Sequence, residues 1–97
     1  MKVTFLEKDE ELQKVLEGKQ IPRFVRMIFV PAGKSEKDIV VTEKEVVKEI
    51  GIHNKNILSS SGTDFVLFDM FSPVYVLREV ASSEQRTLIK FTVYQKN

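Results

Sequence analysis

The side chains best suited to chemistry lie close together, between positions 53 and 60. His53 is the only histidine in the chain, and its imidazole can take up or release a proton near neutral pH. Asparagine side chains suit the edges of adenine, and lysine side chains suit guanine or phosphate. The same segment contains the polar residues Asn54, Lys55, Asn56, Ser59 and Ser60.

The residues before this segment carry signals for the start and the end of a helix. Thr42 can cap a helix through its hydroxyl, and Glu45, three residues later, completes a capping box. Gly51 is placed to adopt the left-handed conformation that ends many helices. The pattern predicts a helix that begins after Thr42, a sharp turn at Gly51, and a second helix within residues 54–61.

Residues 42–58, and especially 45–58 (EVVKEIGIHNKNIL), resemble the helix-turn-helix motif of many transcription regulators. Gly51 takes the place of the turn, and Ile52 follows it directly. The apolar residues 39–41 before the motif, and a predicted hairpin after it, fit the winged-helix variant. The resemblance implies that the second helix enters the major groove of double-stranded DNA. It also implies that the candidate nucleic-acid-binding residues are His53, Asn54, Lys55, Asn56, Ser59 and Ser60. Our first hypothesis is a small regulatory protein that binds nucleic acid.

A second resemblance concerns the order of elements around His53. Ile50 and Gly51 precede His53, and Gly62 and Thr63 precede a predicted strand. This arrangement is similar to that of the small ring nucleases of archaeal viruses, which are anti-CRISPR proteins that degrade cyclic oligoadenylate. The resemblance implies viral counter-defence as an alternative function. His53 would then be the acid that protonates the leaving ribose oxygen.

Other chemistries lack the residues that they need. The chain has no cysteine and one histidine, so we expect no metal site, and we expect no cofactor. Residues 32–35 (AGKS) resemble the end of a phosphate-binding loop, but Ile28 stands where its first glycine belongs. Asp69 lies in an apolar stretch, where we expect Arg78 to pair with it. We therefore favour a protein without catalytic residues, with His53 as the alternative.

Composition favours one domain that spans residues 1–97. Fifteen basic and fourteen acidic side chains leave a net charge of +1, without the basic excess of a strong nucleic-acid binder. No signal-peptide core is visible, and the longest apolar run, 27–32, is far too short to cross a membrane. We expect a cytoplasmic protein without membrane contact. Abundant lysine and glutamate, with no cysteine, favour a thermophilic source.

Hydrophobic periodicity predicts an α+β fold with the element order β-α-β-α-(α)-β-β-β. The predicted strands are 3–6, 23–30, 65–71, 74–80 and 86–94, and the first predicted helix is 9–17. These elements would form a mixed sheet of about five strands with two or three helices. Residues 23–30 carry apolar side chains on both faces, which predicts a central strand covered on both sides.

Apolar strands that the helices leave uncovered suggest a third function. Two-faced strands outnumber the helices available to cover them, so exposed strand residues would bind another protein or a second copy of the chain. The third hypothesis is therefore a non-catalytic protein-interaction module or inhibitor. A homodimer is one form that such an interaction takes.

Overall fold

The computed structural model describes residues 1–18, 22–59, 68–69 and 71–95, with only the backbone described at 57–59, and the fold of this part is α+β. Its strands are β1 (Val3–Leu6), β2 (Phe24–Phe29), β3 (Val74–Ser82) and β4 (Thr87–Gln95). Its two α-helices are α1 (Asp9–Leu16) and α2 (Glu43–Ser59), and a short 3-10 helix spans Glu36–Asp38. The predicted fold class is confirmed.

The described strands form one mixed sheet in the order β1-β3-β4-β2. β1 runs parallel to β3, whereas β4 is antiparallel to both β3 and β2. The predicted hairpin of the last two strands is confirmed, because β3 and β4 pair without interruption. The predicted strand 65–71 falls mostly outside the described residues, and Phe68, Asp69 and Phe71 lie in neither a helix nor a strand. The described part of the sheet thus has four strands, not the predicted five.

The larger core lies between the sheet and α2, on a side that we call the α2 face. Val46 and Ile50 are one helical turn apart, and both pack against side chains that alternate along the strands. Full burial of each such apolar side chain contributes about 1.5–3 kcal/mol. The buried residues of this core are Val3, Val46, Ile50, Phe68, Val74, Val76, Ile89, Phe91 and Val93.

A smaller core lies on the opposite side of the sheet, which we call the α1 face. Leu12 and Leu16 of α1 are also one turn apart, and they pack on Leu77 of β3. A helix is about 10 Å wide and strands are about 4.8 Å apart, so a single short helix covers about two strands. The helix α1 packs mainly on β1 and β3, which leaves the β4–β2 half of this face without a helix among the described residues.

β2 is an edge strand, which corrects the prediction of a central strand covered on both sides. Its one neighbour in the described sheet is β4. Phe24 and Ile28 pack on the core of the α2 face. The alternate side chains point to the α1 face, beyond the reach of α1. The prediction failed because an apolar pattern on both faces of a strand does not show whether a helix extends far enough to cover each face.

Candidate functional site

α2 begins where the sequence predicts. The hydroxyl Oγ1 of Thr42 accepts a hydrogen bond from the backbone N–H of Glu45 at 3.3 Å, and the Glu45 carboxylate accepts one from the N–H of Thr42 at 2.8 Å. This reciprocal pair is a capping box, and it binds N–H groups that have no partner inside the helix. The predicted cap at Thr42 is confirmed.

α2 does not end at Gly51, so the predicted turn is wrong. The helix continues without a break to Ser59, and residues 54–59 belong to it rather than to a separate second helix. Its buried side also continues, because Ile50 is fully buried and His53 packs inward three residues later. A glycine inside a helix costs only about 1 kcal/mol relative to alanine. Burial on both sides of Gly51 outweighs that cost.

His53 packs between two aromatic rings. Its ring centroid lies 5.6 Å from that of Phe24 and 6.0 Å from that of Phe68, and the two phenylalanine rings meet edge-to-face at 5.8 Å. These separations are typical of favourable aromatic pairs. The half-buried imidazole therefore joins α2 to the start of β2, and the contacts are those of a packing residue. Cleavage of cyclic oligoadenylate by His53 stays a prediction.

Asn54 also points into the fold. Its side-chain oxygen Oδ1 accepts a hydrogen bond from the backbone N–H of Phe68 at 3.2 Å. The amide thus fixes the chain ahead of β3 against α2. Together His53 and Asn54 have a structural role that explains their types without a nucleic acid.

Of the remaining candidate residues, the structure describes the side chains of Lys55 and Asn56 only. Lys55 and Asn56 are exposed, Ser59 is the last residue of α2 with its side chain outside the description, and Ser60 lies outside the described residues. Because a continuous helix turns about 100° per residue, residues 53–56 point in different directions and cannot all face one ligand. Contact of these residues with nucleic acid stays a prediction. The turn at Gly51, which was predicted to expose them on a separate helix, is absent because α2 is continuous there.

Asp69 serves the local backbone and does not pair with Arg78, which corrects that prediction. Its carboxylate accepts hydrogen bonds from the hydroxyl of Ser72 at 2.7 Å and from the N–H of Phe71 at 2.9 Å. The Ser72 hydroxyl and then the Phe71 N–H hold the pKa of Asp69 below its ordinary value. Arg78 instead forms an ion pair with Glu7 at 3.4 Å. Asp69 therefore closes the turn that leads into β3.

Three exposed apolar side chains lie in a row along β2, on the α1 face. Val25 is 41% exposed, Met27 57% and Phe29 55%. They follow each other at every second residue, so they form one stripe on the sheet. We call these three side chains, together with the outer backbone edge of the strand, the β2 surface.

The backbone of the same three residues points to the outer edge of the sheet. The N–H of Val30 donates to the carbonyl of Thr87 at 2.9 Å, and the register then directs the even-numbered residues of β2 toward β4. The N–H and C=O groups of Val25, Met27 and Phe29 therefore point away from β4, where no described strand pairs with them. Such an edge is a template for a further strand.

Arg86, at the end of the β3–β4 hairpin, borders the β2 surface. Its guanidinium carbon lies 4.9 Å from the centroid of the Phe29 ring, a cation–π contact worth about 0.5–1 kcal/mol at an exposed site. Arginine, methionine and aromatic residues are enriched at protein interfaces. The surface thus combines the side chains and the backbone groups that a protein partner uses.

Sequence reasoning noticed the residues of the β2 surface but assigned them to a buried strand. The informative signal was that α1, with eight residues, is short for a sheet of this width. Among the described residues, no three histidine, cysteine, aspartate or glutamate side chains lie close enough together to hold a metal ion. Within the same residues, neither helix has the length and apolar character needed to cross a membrane.

Comparison with known proteins gave no match, whether with family models, with curated proteins or with solved structures.

Proposed function

We propose that this protein is a non-catalytic protein-interaction module that binds its partner through the β2 surface. The proposal rests on two features that Val25, Met27 and Phe29 share. The residues with exposed apolar side chains are also those whose backbone groups point to the outer edge. A partner strand added to this edge would bind the outward N–H and C=O groups and cover the side chains beside them.

Two contributions would stabilise this contact. Full burial of a large apolar side chain contributes about 1.5–3 kcal/mol, so covering the exposed halves of three side chains would contribute on the order of 1 kcal/mol each. The backbone hydrogen bonds of an added strand contribute further, at roughly 0.5–1.5 kcal/mol each.

Nucleic-acid binding through α2 is the second candidate. One observation favours it: in the continuous helix, the exposed side chains of Lys44, Lys48 and Lys55 lie on one face, at spacings of four and seven residues. Phosphate groups attract such a row of lysines. Glu43, Glu45 and other acidic residues of α2 weaken this attraction, which is why we rank it below the β2 surface.

Site-specific photo-cross-linking discriminates between the two candidates. A photoreactive diazirine amino acid replaces Met27 in one variant and Lys55 in a matched variant, and each is irradiated in the cells that naturally make the protein. We expect protein adducts at position 27 and none at position 55. Adding Val25→Lys and Phe29→Lys to the first variant should abolish the adducts, while circular dichroism shows that the fold is kept.

The opposite pattern would contradict the proposal. If position 27 gives no protein adduct, or if Val25→Lys and Phe29→Lys leave its adducts unchanged, the β2 surface is not the binding site. Nucleic-acid adducts at position 55 alone would favour the second candidate.

A further inference from the structure

The β2 surface fits a second copy of this chain, an inference that rests on the proposed function. We propose that two copies pair antiparallel through β2, about a two-fold axis at Met27. The two four-stranded sheets then join into one continuous sheet of eight strands. The argument for this partner is that the edge is complementary to itself.

The outward backbone groups match each other in one register. With the axis at Met27, Val25 lies opposite the partner's Phe29, and Met27 lies opposite the partner's Met27. Every outward N–H of these residues then meets an outward C=O of the same set. About six hydrogen bonds form across the axis, since three residues in each copy donate one N–H each.

Neighbouring symmetric registers are less favourable. A shift in one direction places Val25 opposite the partner's Pro31, which has no N–H to donate. A shift in the other direction places Phe29 opposite the partner's Arg23, whose N–H already donates to the carbonyl of Val93 at 2.8 Å. The register about Met27 is therefore the one in which every outward N–H and C=O of Val25, Met27 and Phe29 has a partner.

Side chains agree with the same register. On the α1 face, the apolar stripes of the two copies lie side by side, and such cross-strand pairs stabilise a sheet by roughly 0.2–1 kcal/mol each. On the α2 face, Arg26 lies opposite the partner's Ile28, so no two like charges are directly opposed. Arg26 and the partner's Arg26 are diagonal neighbours, about 7–8 Å apart, and Glu49 lines the same cleft as Arg26 in each copy. The apolar stripe and the backbone hydrogen bonds must therefore outweigh the repulsion of one diagonal arginine pair.

Engineered disulfides test this register in the purified protein, which has no cysteine of its own. Directly opposed residues in a hydrogen-bonded antiparallel pair have Cα atoms about 5.5 Å apart, within the range that a disulfide spans. The two Val25 positions would be about 14 Å apart, which is too far. Under mild oxidation, we expect Met27→Cys to form a covalent dimer and Val25→Cys to remain a monomer on a non-reducing gel.

Light scattering after size exclusion provides the independent measurement. We expect the molar mass of the unmodified chain to rise from 11.2 kDa toward twice that value as the concentration increases from about 1 µM to about 1 mM. Met27→Pro should weaken dimerisation at least tenfold. Its fold should persist, because the N–H that proline removes points away from β4.

Three results would overturn the second-copy proposal: a monomer mass at every concentration, equal cross-linking of both cysteine variants, or unchanged dimerisation of a folded Met27→Pro variant. If the chain is monomeric while a photoreactive group at position 27 captures a different protein, this proposal fails and the proposed function stands. If neither a dimer nor an adduct forms, both fail.

Discussion

Thr92 is a buried polar residue whose hydroxyl has no hydrogen-bond partner among the described residues. Its side chain is 3% exposed. It lies on the α1 face, between Val25 of β2 and Leu77 of β3. A buried hydroxyl left unpaired costs about 1–3 kcal/mol. Thr92 therefore reduces the stability of the sheet next to the β2 surface.

Replacing Thr92 with valine tests this cost, because valine has nearly the same shape without the hydroxyl. We expect Thr92→Val to raise the free energy of unfolding by about 1 kcal/mol, measured by urea denaturation. The matched control is Thr87→Val on the same strand, whose hydroxyl lies 3.3 Å from that of Ser82 and should give no gain. A lower stability for Thr92→Val would show that its hydroxyl is paired after all.

Gln95 shows what a satisfied buried polar residue requires. Its side-chain oxygen accepts the N–H of Asp69 at 2.8 Å, and its amide nitrogen donates to the carbonyls of Asp69 at 2.6 Å and Ser72 at 3.4 Å. The partners are more than twenty residues away in sequence. Sequence reasoning could not find these distant partners. The Asp69 carboxylate is a different case, because it bonds to Phe71 and Ser72, only two and three residues away. Single-residue roles set by distant contacts are the part that sequence predicts least.

At the scale of elements, α2 shows where local signals suffice and where they do not. Its start was predictable because Thr42 and Glu45, three residues apart, bind each other. The end of α2 was not predictable, because the contacts of His53 with Phe24 and Phe68 stabilise the helix beyond Gly51. Gly51 is a favourable residue for a helix end, but packing against residues distant in sequence stabilises a longer helix.

Gly51→Ala separates the continuous helix from the predicted turn. A side-chain carbon added at Gly51 meets no atom within 4 Å, and the residue lies in regular helix. We therefore expect Gly51→Ala to raise the free energy of unfolding by about 0.5–1 kcal/mol, measured by thermal or urea denaturation. The contrasting control is Gly18→Ala, which should destabilise because Gly18 has φ of +145°. If Gly51→Ala lowers the free energy of unfolding instead, the result would support the predicted turn at Gly51 and contradict the continuous helix.

At the scale of the whole molecule, function follows from how much of the sheet the helices cover. Fold class, most strand positions and the β3–β4 hairpin follow from periodicity along the sequence. The order β1-β3-β4-β2, which places β2 at an edge, depends on long-range pairing that periodicity does not encode. The apolar stripe of β2 therefore looked like core in the sequence and is a surface in the fold.

Residue-resolved amide hydrogen exchange along β2 tests the central claim most directly. In dilute protein, we expect the N–H groups of Val25, Met27 and Phe29 to exchange much faster than those of Arg26 and Ile28, which bond to β4. In concentrated protein, or with a captured partner, the three fast groups should become protected while the other two change little. Equal protection of all five in dilute monomer would contradict the account, because it would mean that the chain itself already covers the outer edge of β2.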